Sequence, residues 1–558
     1  MTKQKKHLSE TLGEIIDYNK TTRGIEGEEA SGKKFRISVY SNRMVRVHFT
    51  QEEDFELHSY AVIAEPYGDF ELTEEEDYLL IKTSKLSVKV DKNPMRVTLL
   101  SKDNEVVNED DKAFGTMWIG DEVSTYKKLQ GGERFIGMGE KTGPLDRRGH
   151  GYQHWNTDTF AYNNDSDPLY CSTPFYIGIH NKLSYGIYLD NSHKSHFNFG
   201  ASNDRFSSFS ADYGDMNYYL IHDEKVAGIL EAYTELTGRM SMPPMWSIGY
   251  QQCRYSYYPD KEVLNVARTF RDKHIPADVI VLDIHYMEKF KIFSWDPVHF
   301  PNPEEMMKEL RDKGFHIVIM CDPGIKIEEG YAPYESGKDE DVFIKYPDGT
   351  FYSGEVWPGW CHFPDFTSDK VREWWKNQLK YYSEIGVDGY WNDMNEIATW
   401  GQMLPNLIEF DFDGNPTTAR EARNVYGFQM ARSTYEGTKE LLGGKRPFNL
   451  TRSGFSGVQR YSAVWTGDNV ANDEHMMLGV RLVNSLGLAG IAFTGPDVGG
   501  FVGNPNSLVL FCTSGHIGII AEAFTKTGNC SIGHSATCSR APSYTSSEKN
   551  SYHVPSGR

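Results

Sequence analysis

Short apolar runs with a period of two residues dominate the chain from residue 34 to about residue 220. Segments 45–49 and 86–90 alternate apolar and polar side chains, and segments 175–179 and 185–189 are further short apolar runs bounded by turn residues. A period of two is that of a strand with one buried face. Many short strands at this spacing predict a large antiparallel β-sandwich.

Near Pro243 the pattern changes to short apolar runs that alternate with helical segments. The predicted strands are residues 247–250, 279–283, 316–320, 389–393, 448–451, 462–465 and 490–493. The predicted helices are residues 261–273, 303–313 and 368–385. Alternation over this length is typical of parallel β-structure, and seven such strands favour a (β/α)8 TIM barrel over an open sheet.

The two patterns predict a fold of the α/β plus all-β class. Residues 1–242 are expected to form the β-sandwich, with a loop that reaches the barrel, and residues 243–524 to form the barrel. Residues 516–522 are the one apolar run left for an eighth strand, so the end of the barrel is expected to be incomplete. Residues 525–558 are serine-rich and nearly free of large apolar side chains, which predicts a disordered tail.

Composition excludes several classes of partner. The 558 residues include 58 Lys and Arg against 78 Asp and Glu, a formal charge of −20, which argues against nucleic-acid and membrane partners. The N-terminus lacks the apolar core of a secretory signal, and no window holds ~18 uninterrupted apolar residues. Seven scattered cysteines indicate free thiols, so we expect a cytoplasmic protein. No H-E-x-x-H motif occurs, and we expect neither a metal nor another cofactor.

Acidic residues follow the predicted barrel strands one after another. They are Asp283, Asp322, Asp393 with Glu396, Asp468 and Asp497. Any one of them could be a helix cap or a salt-bridge partner, but strand ends of a barrel line its active site. The accompanying aromatic residues are Trp357, Trp360, Trp391, Trp465 and Phe501. Carboxylates accept hydrogen bonds from sugar hydroxyls and aromatic faces pack on sugar C–H surfaces, so the pattern predicts a sugar pocket. Two carboxylates are also the minimum for glycosidic cleavage.

The motifs around these residues resemble those of glycoside hydrolase family 31, the retaining α-glucosidase and α-xylosidase family. Residues 388–396, DGYWNDMNE, are similar to its nucleophile signature, and TRSGF at 451–455 with WTGDN at 465–469 resembles its acid/base region. GMGEK at 137–141 and WNTD at 155–158 resemble its N-terminal domain and the loop sent over the pocket. The resemblance covers roughly residues 30 to 505.

The resemblance implies a role for each matching residue. Asp393 is expected to be an ionised nucleophile and Asp468 a protonated general acid/base, with Glu396 supporting the site. Two adjacent acids separate their pKa values in this way, and a retaining pair lies ~5–5.5 Å apart. The residues implied to bind sugar are Arg452, Asp158, Asp283 and Ile284, with Trp357, Trp391, Met394, Trp465 and Phe501 as pocket walls.

The activity that the resemblance implies is that of an exo-acting retaining α-glucosidase on short α-linked oligosaccharides. An α-xylosidase or α-galactosidase specificity is one alternative, because pocket walls decide it. A catalytically silent, glycan-binding or truncated fragment is another. That alternative rests on the end of the chain, where the pattern is lost after Pro505 and the family's Arg-Trp helix, sugar-binding histidine and C-terminal β domains have no counterpart. The sequence leaves the oligomeric state open.

Overall fold

The computed structural model describes residues 9–504 and the backbone of residues 516–517. The strands of the N-terminal part are β1 (Glu10–Thr11), β2 (Ile15–Lys20), β3 (Gly24–Glu29), β4 (Lys34–Ser41), β5 (Met44–Thr50), β6 (Glu71–Glu74), β7 (Tyr78–Lys82), β8 (Leu86–Lys92), β9 (Met95–Ser101), β10 (Val106–Glu109), β11 (Thr116–Ile119), β12 (Glu122–Lys128), β13 (Arg134–Gly137), β14 (Gly151–His154), β15 (Cys171–Ser172), β16 (Phe175–His180), β17 (Leu183–Leu189), β18 (Ser195–Asn198), β19 (Phe206–Ala211) and β20 (Met216–His222).

The later strands are β21 (Gln251–Gln252), β22 (Val279–Leu282), β23 (His316–Cys321), β24 (Ile325–Lys326), β25 (Gly354–Val356), β26 (Gly359–His362), β27 (Gly389–Asn392), β28 (Glu409–Phe410), β29 (Thr417–Thr418), β30 (Phe448–Thr451), β31 (Gly454–Phe455), β32 (Ala463–Trp465), β33 (Thr494–Gly495), β34 (Asp497–Val498) and β35 (His516–Ile517). The α-helices of the described residues are α1 (Val226–Thr237), α2 (Asp260–Asp272), α3 (Pro303–Asp312), α4 (Ala332–Asp339), α5 (Asp369–Ile385), α6 (Ala419–Leu441) and α7 (Asp473–Gly487).

Three antiparallel sheets form the N-terminal part, as the period-two pattern predicts. Their strand orders are β13-β16-β17-β20-β5-β4-β3-β2, β1-β11-β12-β19-β18-β14 and β10-β9-β8-β7-β6. Alternate residues of β4, namely Phe35, Ile37 and Val39, are fully buried between the sheets. These side chains share one apolar core with Val88 and Phe209 of the other two sheets. Burial of one face of each strand is therefore what joins the sheets.

The later part is built on one parallel sheet of seven strands. Its order, β21-β22-β23-β27-β30-β32-β33, follows the chain, so each strand pairs with its successor and the sheet curls into part of a barrel. One row of paired residues runs from Leu282 through Ile319 and Tyr390 to Asn449. This in-order parallel arrangement is the predicted TIM-barrel topology.

The first and last predicted barrel strands are wrong in position. Residues 245–248 form a 3-10 turn after Pro244, and the strand is Gln251–Gln252. Consecutive prolines lack the N–H groups that a central strand must donate, which explains the delay. At the other end the backbone N–H of Ile491 bonds to the carbonyl of Leu486 in α7. That bond belongs to the helix terminus, so the strand starts only at Thr494.

Four helices, α1, α4, α6 and α7, lie where no helix was predicted. In α6, buried residues occur around the whole circumference, so no apolar stripe marks it in the sequence. Helix α1 lies within the segment predicted to be all β. Its Tyr233 stacks on Phe175 of β16, with ring centroids 3.8 Å apart, and both belong to the core that also contains the barrel strands. Helix α1 thereby joins the sandwich to the barrel.

The candidate eighth strand does not extend the parallel sheet where it is described. His516 and Ile517 pair antiparallel with Val498 and Asp497 of β34. The remainder of that predicted strand, residues 518–522, and the predicted tail, residues 525–558, lie outside the described residues. In the described part of the chain, no helix combines the length and the apolarity needed to cross a membrane.

Candidate active site

Five acidic residues meet at one end of the parallel sheet. Asp283, Asp322 and Asp393 each come directly after a strand, β22, β23 and β27 respectively, while Asp468 follows β32 and Asp497 lies in β34. Because the carboxyl ends of parallel strands share one edge, the topology brings these side chains together. Burial is the main cause of the raised pKa of Asp283, and the charges of Asp393 and Asp468 add to it, so these acids lie within electrostatic range of one another. The predicted cluster of strand-end acids is therefore present in the structure.

Arg452 is the cation at the centre of this cluster. It directly follows β30, and its backbone N–H donates to the carbonyl of Asn392 on β27 (3.0 Å). Its Nε lies 3.2 Å from Oδ1 of Asp393, and its Nη1 lies 3.6 Å from Oδ2 of Asp468. One buried guanidinium thus bridges the two carboxyl groups that the sequence singles out as a catalytic pair.

Glu396 lies behind the arginine. Arg452 donates from Nε to Oε1 (2.9 Å) and from Nη2 to Oε2 (2.7 Å), a fork that uses both carboxylate oxygens. Glu396 has no exposed surface. These contacts support the interpretation of Glu396 as a residue that orients Arg452, because the guanidinium occupies both of its carboxylate oxygens.

Burial sets the protonation of the two central acids. It raises the pKa of Asp468 to about 7, with Arg452 acting in the opposite direction and Asp393 adding to the rise. Burial also raises the pKa of Asp393, but the Arg452 charge and the backbone N–H of Met394, 2.8 Å from Asp393 Oδ1, oppose it. Asp393 therefore has a backbone donor and a nearby cation that favour its ionised form, while the pKa of Asp468 lies close to neutral pH.

Asp158 reaches the site from the N-terminal part of the chain. It belongs to the segment between β14 and β15, and its Oδ1 lies 3.7 Å from Nη2 of Arg452. Asn156 anchors that segment, donating from Nδ2 to Oγ of Ser453 (2.8 Å). The backbone N–H of Ala161 donates to the carbonyl of Asp468 (3.0 Å). The site is thus built from both parts of the protein.

The other strand-end acids lie close enough to the central pair for their charges to interact with it. Asp283 accepts a hydrogen bond from the backbone N–H of Ile284 (2.7 Å), and burial raises its pKa to about 8. Ile284 itself is buried. Oδ1 of Asp322 and Oδ1 of Asp497 are buried without a hydrogen-bond partner in the described part of the protein. Buried acceptors without partners are costly, so these atoms are suited to bind ligand hydroxyls.

Aromatic and sulfur-containing side chains form the walls. Trp391 and Trp465 are buried and meet edge to face, with ring centroids 5.2 Å apart. Met394 is buried as well, and its sulfur accepts from Nη2 of Arg452 (3.4 Å). Trp357 and Phe501 are more exposed, and each lies near Tyr255, at 6.1 and 6.2 Å between ring centroids. The predicted wall residues thus divide into a buried group, Trp391, Trp465 and Met394, and a more exposed group, Trp357 and Phe501.

Some residues differ from the sequence interpretation. Trp360 lies on the hairpin strand β26 with 51% of its surface exposed and does not join this aromatic group. Sequence reasoning missed Tyr255 and Trp400. The ring centroid of Trp400 lies 5.2 Å from that of Trp357. It also missed Tyr170, which packs on Arg452. No periodic signal marks these three, although Tyr170 follows the WNTD motif within the same loop. Among the described residues, no group of three or more His, Cys, Asp or Glu side chains is arranged to hold a metal ion.

Comparison with known families decides where this arrangement belongs. Residues 240–517 match the model of the glycosyl hydrolases family 31 TIM-barrel domain, and residues 34–198 match that of the glycosyl hydrolase 31 N-terminal galactose mutarotase-like domain. Together the two matches take in well over half of the chain. The chain belongs to glycoside hydrolase family 31.

Individual relatives agree with this assignment. Alpha-glucosidase 2 of Bacillus thermoamyloliquefaciens is 42% identical over 480 residues, 85% of this chain and 61% of the relative. An alpha-glucosidase of Saccharolobus solfataricus is 32% identical over 406 residues, 69% of this chain and 58% of the relative. A GH31 dextranase structure from Flavobacterium johnsoniae, complexed with glucose, superposes with a TM-score of 0.82 at 30% identity over 88% of this chain and 61% of that one. The family 31 chain thus spans less than two thirds of each relative.

Proposed function

We propose that this family 31 chain is an exo-acting retaining α-glucosidase that releases terminal glucose from short α-linked oligosaccharides. The observation that carries the proposal is the contact of one guanidinium, that of Arg452, with both Asp393 and Asp468. Two relatives named alpha-glucosidase support glucose as the sugar. A carboxyl pair with different protonation is what a two-step displacement at a glycosidic bond requires.

In the first step Asp393 attacks the anomeric carbon. Its Oδ1 already accepts from Met394 N and faces Arg452 Nε, which leaves Oδ2 for the new C–O bond. The Asp468 carboxyl gives its proton to the glycosidic oxygen, so the bond to the leaving sugar breaks and the sugar departs as a neutral alcohol. The product of this step is a glycosyl ester on Asp393.

In the second step the same acid acts as a base. Ionised Asp468 takes a proton from a water molecule, whose oxygen attacks the anomeric carbon and breaks the ester to Asp393. Glucose leaves with its original anomeric configuration, and both carboxyls return to their starting states. Because Asp468 titrates at about pH 7, it can serve as acid and base at the same working pH.

The terminal sugar would bind through the remaining polar groups. Asp158, Asp283 and the orphan oxygens of Asp322 and Asp497 would accept hydrogen bonds from hydroxyls, and Trp391 would pack against the ring. Residue types at such walls decide between glucose, xylose and galactose.

A substrate panel tests the proposal directly. Purified protein is incubated with nitrophenyl α-glucoside, α-xyloside and α-galactoside, with the Asp393→Ala variant as a control for contaminating activity. Turnover of the glucoside alone is expected. Preference for the xyloside or the galactoside would show that the preferred sugar is xylose or galactose and not glucose. No turnover of any of the three would favour a silent glycan-binding fragment.

The stereochemical claim has its own test. We predict that the Asp393 and Asp468 carboxyls face each other ~5–5.5 Å apart. Proton NMR of the first product formed from an α-glucoside is expected to show α-glucose before mutarotation. A first product of β configuration would show inversion, for which a separation of ~6.5–9.5 Å is typical.

A further inference from the structure

The ring of Tyr170 lies between the elements that carry the two central groups of the site. Cζ of Arg452 is 4.9 Å from the Tyr170 ring centroid, within cation–π range. The ring also packs directly on Gly467, where an added Cβ would come 2.2 Å from Tyr170 Cε2. Gly467 immediately precedes Asp468, and Tyr170 has no exposed surface. One buried ring therefore contacts both the arginine and the chain segment of the proposed acid/base.

The backbone beside Tyr170 is fixed relative to Arg452. The next residue, Cys171, donates its backbone N–H to Oε2 of the fully buried Glu140 (2.7 Å). Cys171 and Ser172 then pair in parallel with Gly454 and Phe455. That strand, β31, starts two residues after Arg452. The position of the Tyr170 ring over the guanidinium thus follows from backbone pairing as well as from side-chain contact.

The same N-terminal segment also contacts the Asp468 loop. The Tyr162 hydroxyl donates to Oγ1 of Thr466 (3.4 Å), and the Tyr162 ring meets the Tyr170 ring edge to face at 6.3 Å. Ala161 donates to the Asp468 carbonyl. Residues 466–468 are therefore held from the side of the sandwich by Ala161, Tyr162 and Tyr170.

Glycine is required at position 467 for two reasons. Its backbone has a φ of +66°, in the left-handed region that glycine adopts without strain. The space where a side chain would stand is filled by the Tyr170 ring. The two residues therefore fit each other, and the ring fills the space beside Gly467, the residue before Asp468.

We propose that Tyr170 is a positioning residue for Asp468, whose ring sets the separation of Asp468 from Arg452 and keeps water out of the gap between them. The inference rests on the proposed function, in which Asp468 must donate a proton. Loss of the ring would admit water beside the carboxyl group, and water favours its ionised form. Asp468 would then lose its proton at a lower pH.

Several other charged or titratable groups act on Asp468 and set the background for this effect. They are Arg452, Asp393, Asp158, Glu396, Asp283, Asp497 and Tyr162. Burial raises the pKa of Asp468, and the Arg452 charge lowers it. Removal of the Tyr170 ring reduces the burial, which is the largest cause of the raised pKa of Asp468, and leaves the charges of Arg452 and of the neighbouring acids in place, so the pKa of Asp468 is expected to fall.

The test compares two substitutions in the full 558-residue chain. Tyr170→Leu removes the ring, and Tyr170→Phe keeps it. The pH dependence of kcat/KM is measured with nitrophenyl α-glucoside and with maltose. For Tyr170→Leu the alkaline limb is expected to move down by about one pH unit. Its loss of kcat is expected to be about tenfold larger on maltose, whose leaving group needs protonation, than on the aryl substrate. Tyr170→Phe is expected to keep the limb in place.

Tyr176→Leu is the matched control, because it removes another fully buried tyrosine ring from the core of the sandwich. It is expected to lower thermal stability without moving the pH limb. If the Tyr170→Leu profile superposed on the wild-type profile, or if Tyr170→Phe moved the limb equally far, the inference would be overturned. Should the leucine variant not fold, Tyr170→Met, with its adaptable side chain, carries the same test.

A wild-type chain without turnover would contradict the proposed function and not this inference. The titration of Asp468 is then followed from the ¹³C shift of labelled aspartate carboxyls, assigned with Asp468→Asn. A midpoint that falls in Tyr170→Leu but not in Tyr176→Leu supports the inference, and an unchanged midpoint contradicts it.

Discussion

The N-terminal sandwich and the edge of the parallel sheet where the strands end, here called the barrel rim, both bury charged side chains. They balance these charges differently. In the sandwich, Nζ of Lys127 lies 2.6 Å from Oδ1 of Asp110, and both side chains are almost fully buried. At the rim, Arg452 alone contacts four carboxyl groups, those of Asp158, Asp393, Glu396 and Asp468.

The difference separates structural charges from chemical ones. In the sandwich, one cation faces one anion, so the charges of the pair balance. Where acids outnumber the cation, burial and mutual repulsion raise their pKa values, and a proton is held at neutral pH. Asp468, at about 7, is the clearest case. Both arrangements are buried, so the excess of acids over cations is what distinguishes the proposed active site from the sandwich pair.

The largest effect on activity is expected from substitution of Asp393 at the barrel rim. Asp393→Ala removes the proposed nucleophile, and kcat on nitrophenyl α-glucoside is expected to fall by ~10⁴-fold or more. The matched control is Asp388→Asn at the other end of the same strand, where the carboxylate accepts from the backbone N–H of Ile317. Equal activity in the Asp393→Ala and wild-type proteins would exclude Asp393 as nucleophile.

A smaller effect is expected from Asp468→Ala, and it depends on the leaving group. Hydrolysis of maltose is expected to fall by ~10²–10⁴-fold, because a sugar alkoxide cannot leave without a proton. An activated aryl glucoside needs little protonation, so its first step still proceeds, but the second step lacks the base that activates water. Added azide needs no such base, so it is expected to restore turnover and yield a glycosyl azide. No rescue by azide on the aryl substrate would count against the acid/base role.

The Lys127–Asp110 pair of the sandwich is expected to affect stability and not activity. Lys127→Met leaves the buried carboxylate of Asp110 unpaired, and the free energy of unfolding is expected to fall by ~3–5 kcal/mol. Denaturant titration measures this loss. The kcat of the folded fraction is expected to match that of the wild type, since neither residue contacts the rim. A changed pH profile in this variant would mean that the two charge arrangements are not separate.

The smallest expected effect is on the pH dependence of stability. Burial raises the pKa of Asp283 and of Glu140 to about 8, whereas unfolded carboxyls titrate near ~4. The folded state therefore binds protons more tightly, and this stability is present at low pH and lost as the pH rises through about 8. The Tm difference between Asp283→Asn and wild type is expected to grow in favour of the variant from pH ~5.5 to pH ~8.5. A constant difference would show that Asp283 is ionised throughout.

Local patterns were sufficient for much of the fold. The period of two in residues 45–49 and 86–90 corresponds to β5 and β8, and the predicted helix at 368–385 corresponds to α5 (Asp369–Ile385). Such elements have one buried and one exposed face, so the sequence displays their period. Helix α6 and strand β33 could not be found in this way. The first is buried on all sides, and the second is displaced by the terminus of the preceding helix.

The residue types and their order alone determined that the chain has a barrel whose strand ends carry acids, because parallel strands share one edge whatever the details of packing. The convergence of Asp158 from the sandwich, Arg452 from β30 and Asp468 from β32 required the tertiary structure. So did the position of Tyr170, which depends on backbone pairing between segments almost 300 residues apart in sequence. The protonation of Asp468 depends on burial and on charges contributed by distant segments, and no local sequence pattern records either quantity.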